Sequence, residues 1–129
     1  MCISMQQLLF IAVGGALGAL ARYGLATRVH SLWGASWPAG TLLVNAMGSL
    51  AIGVIFVLLE RSAIHPDWRS VVMVGFLGAF TTFSTFSLET VELWERGHVG
   101  LAMAYGLGST LLCVGAAAIG ILATRAALG

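Results

Sequence analysis

The sequence predicts an all-α integral membrane protein with four transmembrane helices per subunit, and composition and charge spacing are the observations that predict it. Hydrophobic residues make up 59% of the 129 residues and charged residues only 9%. The mean hydropathy is +0.97. A water-soluble domain of this size could not bury so much apolar surface. We therefore expect residues 1–129 to form a single transmembrane domain.

Charge-free runs locate the four spans, because a helix needs about 20 apolar residues to cross the hydrocarbon core of a bilayer. These runs cover residues 1–21, 31–59, 70–88 and 99–124. The predicted spans are about residues 7–27, 38–59, 70–94 and 99–125.

Small residues in the first and fourth spans predict close helix packing. Gly14 and Gly18 form a G-x-x-x-G pair in the first span, and Ala116 and Gly120 have the same spacing in the fourth. Such pairs let helix backbones approach each other in membranes. With 17 glycines in the chain, these matches indicate a tight bundle and nothing more specific.

The second span carries an amide side chain, Asn45. An unpaired carboxamide at membrane depth costs several kcal/mol, so we expect Asn45 to face protein or a wet cavity rather than lipid. Interhelical hydrogen bonding alone would also explain it.

The third span contains seven consecutive residues, Thr81 to Ser87, that are all Thr, Ser or Phe. These residues lose rotamer freedom in a helix or compete for backbone hydrogen bonds, so we predict a third helix broken at its middle, near Thr81. Interrupted helices in membranes occur where protein or a cavity satisfies the freed carbonyls, and they often mark an ion or substrate site. The alternative is an ordinary helix whose hydroxyls bond to the preceding turn.

The fourth span presents Tyr105, Ser109 and Cys113 at intervals of four residues, which gives one weakly polar helical stripe. Such a stripe either lines a path or satisfies a neighbouring helix. Cys2 and Cys113 lie far apart in the predicted topology, so we expect no internal disulfide and no metal site built from cysteine or histidine.

The arginines are balanced across the predicted topology, and the chain has no lysine. One side carries Arg61, Arg69 and Arg125, and the other carries Arg22, Arg28 and Arg96. Equal counts leave the positive-inside rule without a preferred orientation. This balance is compatible with an antiparallel dual-topology homodimer, although loop length could still fix a single orientation.

The polar side chains near the middle of the spans are neutral donors, and no ionisable side chain lies at the middle of any span. Asn45, the hydroxyl-rich run and Tyr105 could replace the hydration shell of a small anion. Phe83 and Phe86, three residues apart, could add the positive edges of their rings, although such pairs also serve packing. This inventory argues against a proton-coupled pump.

Three motifs resemble the Fluc (CrcB) family of fluoride channels: G-G-A-L-G-A-L-A-R-Y at residues 14–23, G-T-L-L-V-N-A-M-G-S at residues 40–49 and G-F-L-G-A-F-T-T-F-S-T-F-S at residues 75–87. The resemblance covers essentially the whole chain in order. It implies an antiparallel homodimer with two pores for passive, selective fluoride export across a bacterial inner membrane. Self-association, fluoride and the lipid bilayer are then the expected partners, with no enzymatic activity and no nucleic acid.

The resemblance also implies roles for individual residues. The implied fluoride pore comprises Asn45, Phe83, Phe86, Ser84, Thr85, Tyr105 and Ser109. Arg22 would form an anion-attracting vestibule, although an arginine near a helix end can also extend to the interface. The backbone carbonyls of Gly78 and Thr81 would bind a structural sodium ion at the dimer centre. Cys113 stands where the family has a hydroxyl.

Two other function classes remain as alternatives at this point. A small multidrug-resistance-type antiporter also pairs four-span subunits antiparallel, but that mechanism needs a membrane-embedded carboxylate, usually in the first span, and this first span has none. A non-transporting assembly subunit would explain the glycines but not the Thr/Ser/Phe run.

Overall fold

The computed structural model describes residues 2–34 and 36–129, and the described chain is helical with no strand. Its helices follow the order of the predicted spans. They are α1 (Met5–Trp33), α2 (Ala39–Glu60), α3 (Arg69–Leu77), α4 (Gly78–Phe80), α5 (Phe83–Glu95) and α6 (Val99–Leu128).

Four segments are long and apolar enough to cross a membrane: α1, α2, the combined segment Arg69–Glu95 and α6. Large apolar side chains point outward from the bundle, with Leu111 of α6 74% exposed and Leu122 65% exposed. Exposed apolar surface of this kind suits lipid rather than water as the surroundings. The chain is therefore a multi-pass membrane protein.

Local signals set the ends of α1. The Ser4 hydroxyl accepts from the Gln7 backbone N–H, and the Gln7 side chain accepts from the Ser4 backbone N–H, both at 3.1 Å. This capping box satisfies two of the free donors at the helix N-terminus. The helix stops at Gly34, whose φ of 79° lies in the region that favours glycine.

Glycines determine which helices touch. A Cβ atom on Gly14 would overlap the Val71 carbonyl oxygen of α3, and one on Gly18 would overlap the Phe76 carbonyl oxygen. The same relation joins α2 to α6, because a Cβ atom on Gly120 would overlap the Leu50 carbonyl oxygen. The small residues of α1 and α6 therefore allow backbone contact between helices, as the sequence indicated.

The third membrane segment changes its winding along its length. The α3 helix is π-helical over nine residues, and α4 adds three residues of α-helix. Thr81 (φ −88°, ψ 156°) and Thr82 (φ −147°, ψ 117°) are extended, and α5 begins at Phe83. The two extended residues lie beside α2, where Gly48 leaves space for the Thr81 methyl group.

At one end of the bundle, α2 and α6 are joined by an ion pair. Arg125 Nη2 lies 3.0 Å from Glu60 Oε2, and both side chains are about two-fifths exposed. The pair partly neutralises one of the three arginines on that side of the predicted topology.

Candidate functional site

The backbone between α4 and α5 is held by Asn45 of α2. Asn45 Nδ2 donates to the Thr82 carbonyl oxygen at 2.9 Å, and the Thr82 N–H donates to Asn45 Oδ1 at 2.7 Å. The Asn45 side chain thus forms hydrogen bonds with both the backbone N–H and the backbone carbonyl of Thr82, which is buried and extended. Asn45 Nδ2 carries two hydrogens, so one remains for another acceptor.

This arrangement redirects two amides that an unbroken helix would point at carbonyls four residues earlier. The Thr82 N–H donates to Asn45 instead of the Gly78 carbonyl. The Thr85 N–H donates to Thr82 Oγ1 at 3.2 Å instead of the Thr81 carbonyl. The Gly78 and Thr81 carbonyl oxygens, both assigned to the central ion by the family resemblance, are thereby deprived of their usual helical donors.

Hydroxyl groups cluster at the start of α5. Thr82 Oγ1 donates to Thr85 Oγ1 at 3.1 Å, and it lies 3.4 Å from Ser84 Oγ. The Thr81 hydroxyl bonds back to the Leu77 carbonyl oxygen at 2.9 Å. The hydroxyls of the Thr/Ser/Phe run therefore mostly satisfy the helix ends around them, as an N-cap requires.

Three aromatic rings form a row from α5 to α6. The centroids of Phe83 and Phe86 are 5.5 Å apart with the planes at 49°. The centroids of Phe86 and Tyr105 are 5.2 Å apart with the planes at 50°. Tilted rings present their positive edges as well as their faces. Phe83 is 78% exposed, whereas Phe86 is half-buried and Tyr105 is buried.

The polar stripe of α6 holds two buried hydroxyl groups. Tyr105 is 4% exposed and Ser109 is 5% exposed. Neither Tyr105 Oη nor Ser109 Oγ has a partner in hydrogen-bond geometry among the described residues, although Tyr105 Oη lies close to the Thr41 and Glu89 side chains. A buried hydroxyl without a partner costs about 1–3 kcal/mol. Two such groups one helical turn apart need an explanation, and a bound ligand is one.

A groove of about 380 Å³ connects several of these groups. Its walls come from α2, from the third membrane segment including the first turn of α5, and from α6. Of the residues singled out in the sequence, it is lined by Asn45, Gly78, Thr81, Phe83, Phe86, Ser109 and Cys113. Ser84, Thr85, Tyr105 and Arg22 are not part of its lining.

A second cavity, of about 500 Å³, opens beside the start of α2. Thr85 lines it together with Thr41 and Glu89, and the Thr41 hydroxyl donates to Glu89 Oε1. Thr41 was not among the site residues predicted from the sequence. The available signal was its position four residues before Asn45, which puts both polar side chains on one face of α2.

Arg22 of α1 lies apart from both cavities. Its side chain is half-buried, and its Nε has no hydrogen-bond partner among the described residues. The vestibule role of Arg22 stays a prediction.

Side-chain metal ligands are scarce in the described residues. They contain no group of three or more His, Cys, Asp or Glu that could hold a metal ion. The backbone carbonyls of Gly78 and Thr81, which the family resemblance assigns to a sodium ion, stay a prediction.

Four membrane-length segments around a groove lined by Asn45, Thr81 and Ser109 define a polytopic membrane protein. Comparison with known proteins then gives the family. Residues 9–121 match the model of the family described as CrcB-like protein, Camphor Resistance (CrcB). The chain belongs to this family.

The relatives carry a more specific name. A protein named fluoride-specific ion channel FluC in Saccharophagus degradans is 45% identical over 121 residues, covering 91% of this chain and 88% of the relative. Proteins of the same name occur in Hahella chejuensis and Magnetococcus marinus. The Hahella chejuensis protein is 46% identical and covers 95% of this chain and 98% of the relative. The Magnetococcus marinus protein is 47% identical and covers 93% of this chain and 98% of the relative.

Proposed function

We propose that this protein is a passive, selective fluoride channel that exports cytoplasmic fluoride across a bacterial inner membrane. The observation that carries the proposal is the pair of buried, unpaired hydroxyls of Tyr105 and Ser109. Ser109 lies on the groove and Tyr105 one turn from it, beside the ring of Phe86. The names of the relatives support fluoride as the ion and a channel rather than an enzyme as the class.

Neutral donors suit this task. Fluoride must lose its hydration shell in a narrow path, and hydroxyl, amide and ring-edge groups can replace it stepwise without trapping the ion. The donors are Tyr105 Oη, Ser109 Oγ and the second hydrogen of Asn45 Nδ2. Phe83 and Phe86 add ring edges, and Ser84 and Thr85 add hydroxyls at the start of α5. A lysine or arginine in their place would hold the anion too tightly.

Passive transport follows from the chemistry of the ion and of the groove. Fluoride enters cells from acidified surroundings as neutral HF, dissociates in the cytoplasm and is trapped as the anion. None of the residues that line the groove is acidic or basic. The membrane potential alone can then drive the anion outward.

The proposal includes an antiparallel homodimer with a sodium ion at its centre. The Gly78 and Thr81 carbonyls fit this assignment, because the amides that would normally bond to them donate elsewhere. One chain offers only two such oxygens, so a second copy would be needed to give four. Oxygen ligands favour a hard cation, whose positive charge would hold the two interrupted helices together.

The multidrug antiporter alternative lacks support. The α1 helix contains no Asp or Glu, and the relatives described above are named as fluoride channels. The comparisons therefore favour the channel over the antiporter.

Fluoride release from liposomes tests the proposal. Vesicles holding purified protein and loaded with potassium fluoride should release fluoride rapidly when valinomycin gives potassium a path out. Chloride-loaded vesicles should release little, and an imposed pH gradient should not change the fluoride rate. Comparable chloride release, or fluoride release that requires a pH gradient, would contradict the proposed function.

A further inference from the structure

A third cavity, of about 560 Å³, lies at the end of the bundle where α2 passes into α3. Its lining comes from the end of α2, from the loop that follows and from Arg69, the first residue of α3. Because this loop joins two membrane spans, the cavity lies at the level of the bilayer surface. It shares no lining residue with the groove or with the second cavity, so it is separate from the proposed anion path.

The turn after α2 builds one wall of this cavity. The Ala63 N–H donates to the Leu58 carbonyl oxygen at 2.8 Å. The Ser62 N–H donates to the Leu59 carbonyl oxygen at 3.1 Å, and the two bonds together form a Schellman motif. Ser62 has a φ of 55°, at a position of this motif that usually holds glycine. A serine there adds a hydroxyl group to the lining of the cavity.

The positive charge of Arg69 has no acidic partner at this cavity. The two carboxylates nearest to it in the sequence are engaged elsewhere: Glu60 pairs with Arg125 at 3.0 Å, and Asp67 lies 3.4 Å from His65 Nδ1. Within the described residues, Arg69 makes no ion pair and no side-chain hydrogen bond. Its planar guanidinium therefore keeps five N–H donors, in a geometry that matches a phosphate group.

His65 adds a second donor to the lining. Its Nδ1 accepts from the Asp67 backbone N–H at 3.2 Å, so the neutral ring carries its hydrogen on Nε2. A protonated ring also has a hydrogen on Nε2. In both forms, His65 keeps one N–H for an acceptor in the cavity that Arg69 also lines.

The remaining features of this end of the bundle are apolar. Leu59 and Ile64 are half-buried and line the cavity. Trp68, which precedes Arg69, is 49% exposed. Tryptophan beside arginine at the end of a membrane span is typical of the headgroup level of a bilayer. A free anion would leave the apolar wall without a contact, whereas a lipid has both a phosphate and apolar chains.

We propose that this cavity binds the headgroup phosphate of an anionic phospholipid. Arg69, His65 Nε2 and the Ser62 hydroxyl donate to the phosphate, and Leu59 and Ile64 contact the glycerol backbone and the first acyl carbons. Basic pockets at the ends of membrane helices bind lipid headgroups by this combination of charge and apolar contact. The proposal depends on the membrane setting of the chain and not on fluoride transport.

Native mass spectrometry of the full chain in detergent tests this proposal. Phosphatidylglycerol carries a net negative charge, whereas phosphatidylcholine carries the same phosphate beside a compensating cation. We expect the delipidated protein to bind its first phosphatidylglycerol more tightly than its first phosphatidylcholine. Arg69→Gln should weaken phosphatidylglycerol binding about fivefold, since one arginine near a lipid headgroup contributes about that factor.

Three further variants separate a built site from diffuse charge. Arg61→Gln removes the same charge from the same loop, but Arg61 is exposed and does not line the cavity, so at least half of the affinity should remain. Arg69→Lys keeps the charge without the planar fork and should bind phosphatidylglycerol more tightly than Arg69→Gln. His65→Phe keeps a ring without Nε2 and should weaken binding. Circular dichroism checks that each variant keeps the helical content of the native chain.

The outcomes decide between a lipid site and its alternatives. Equal affinity for the two lipids, or equal losses in Arg61→Gln and Arg69→Gln, would overturn the site, because the loop would then act only through its total charge. Displacement of phosphatidylglycerol by inorganic phosphate at equal concentration would assign the cavity to a free anion and overturn the lipid. If Arg69→Gln does not fold, His65→Phe gives the answer, and an unchanged affinity in that variant would contradict the proposal.

Discussion

Replacing Asn45 by alanine should destabilise the fold through the backbone of the third membrane segment. The Asn45 side chain makes two hydrogen bonds to one buried residue, at 2.9 Å to the Thr82 carbonyl oxygen and at 2.7 Å from the Thr82 N–H. Asn45→Ala removes both and leaves two backbone groups without partners. Water cannot replace them easily, because Thr82 is buried.

The magnitude follows from the number of groups left unpaired. Each buried polar group without a partner costs about 1–3 kcal/mol, so the two groups on Thr82 should together lower the free energy of unfolding by about 2–6 kcal/mol. The loss should be accompanied by reduced fluoride transport, because the same amide faces the groove.

Unfolding by SDS titration from mixed micelles, followed by tryptophan fluorescence, measures the change in free energy. Ser49→Ala is the matched control, because Ser49 lies one turn further along α2 on the same groove and makes no side-chain hydrogen bond within the described residues. The control should change the free energy of unfolding by no more than about 0.5 kcal/mol. If Asn45→Ala unfolds at the same SDS fraction as Ser49→Ala, the assignment of Asn45 as the support of the extended backbone is wrong.

Three further predictions use matched positions. Gly14→Val should lower the free energy of unfolding by about 1–3 kcal/mol in the same titration because its side chain would meet the α3 backbone, whereas Gly24→Val, with open space around it, should cost much less. Ser109→Ala should slow fluoride efflux, whereas Thr110→Ala should not, since the Thr110 hydroxyl already donates within its own helix at 2.8 Å; equal rates would contradict a donor role for Ser109. A single cysteine in the loop at residues 61–68 should be labelled from outside spheroplasts in only part of the population, and two added lysines there should make labelling uniform; all-or-none labelling before that addition would reject dual insertion.

Much of the fold follows from charge spacing alone. Absence of charge over each run predicts a membrane span, and the structure has four apolar segments of membrane-spanning length. The glycine pairs indicated close packing of helices, but they did not indicate which helix packs against which. A G-x-x-x-G spacing does not identify the neighbouring helix. The contact of Gly14 with the backbone at Val71 depends on the whole bundle.

The hydrogen bonds of the site were less predictable than the membrane spans, because they join residues that are far apart in the sequence. The sequence showed that Asn45 needs a partner, yet its two-point bond to Thr82 joins residues 37 positions apart. Likewise, the donation from Thr41 to Glu89 joins residues 48 positions apart, so local spacing could not reveal it. The π-helical winding of α3 had no recognised signal in its composition.

The reversal potential in a planar bilayer tests the central claim most directly. With a fluoride gradient, equal chloride and equal pH on the two sides, a passive fluoride-selective path must carry zero current at the Nernst potential of fluoride. We predict a reversal potential at that value, unchanged when a pH gradient is added. A reversal potential near zero, or one that follows the proton gradient, would contradict the account.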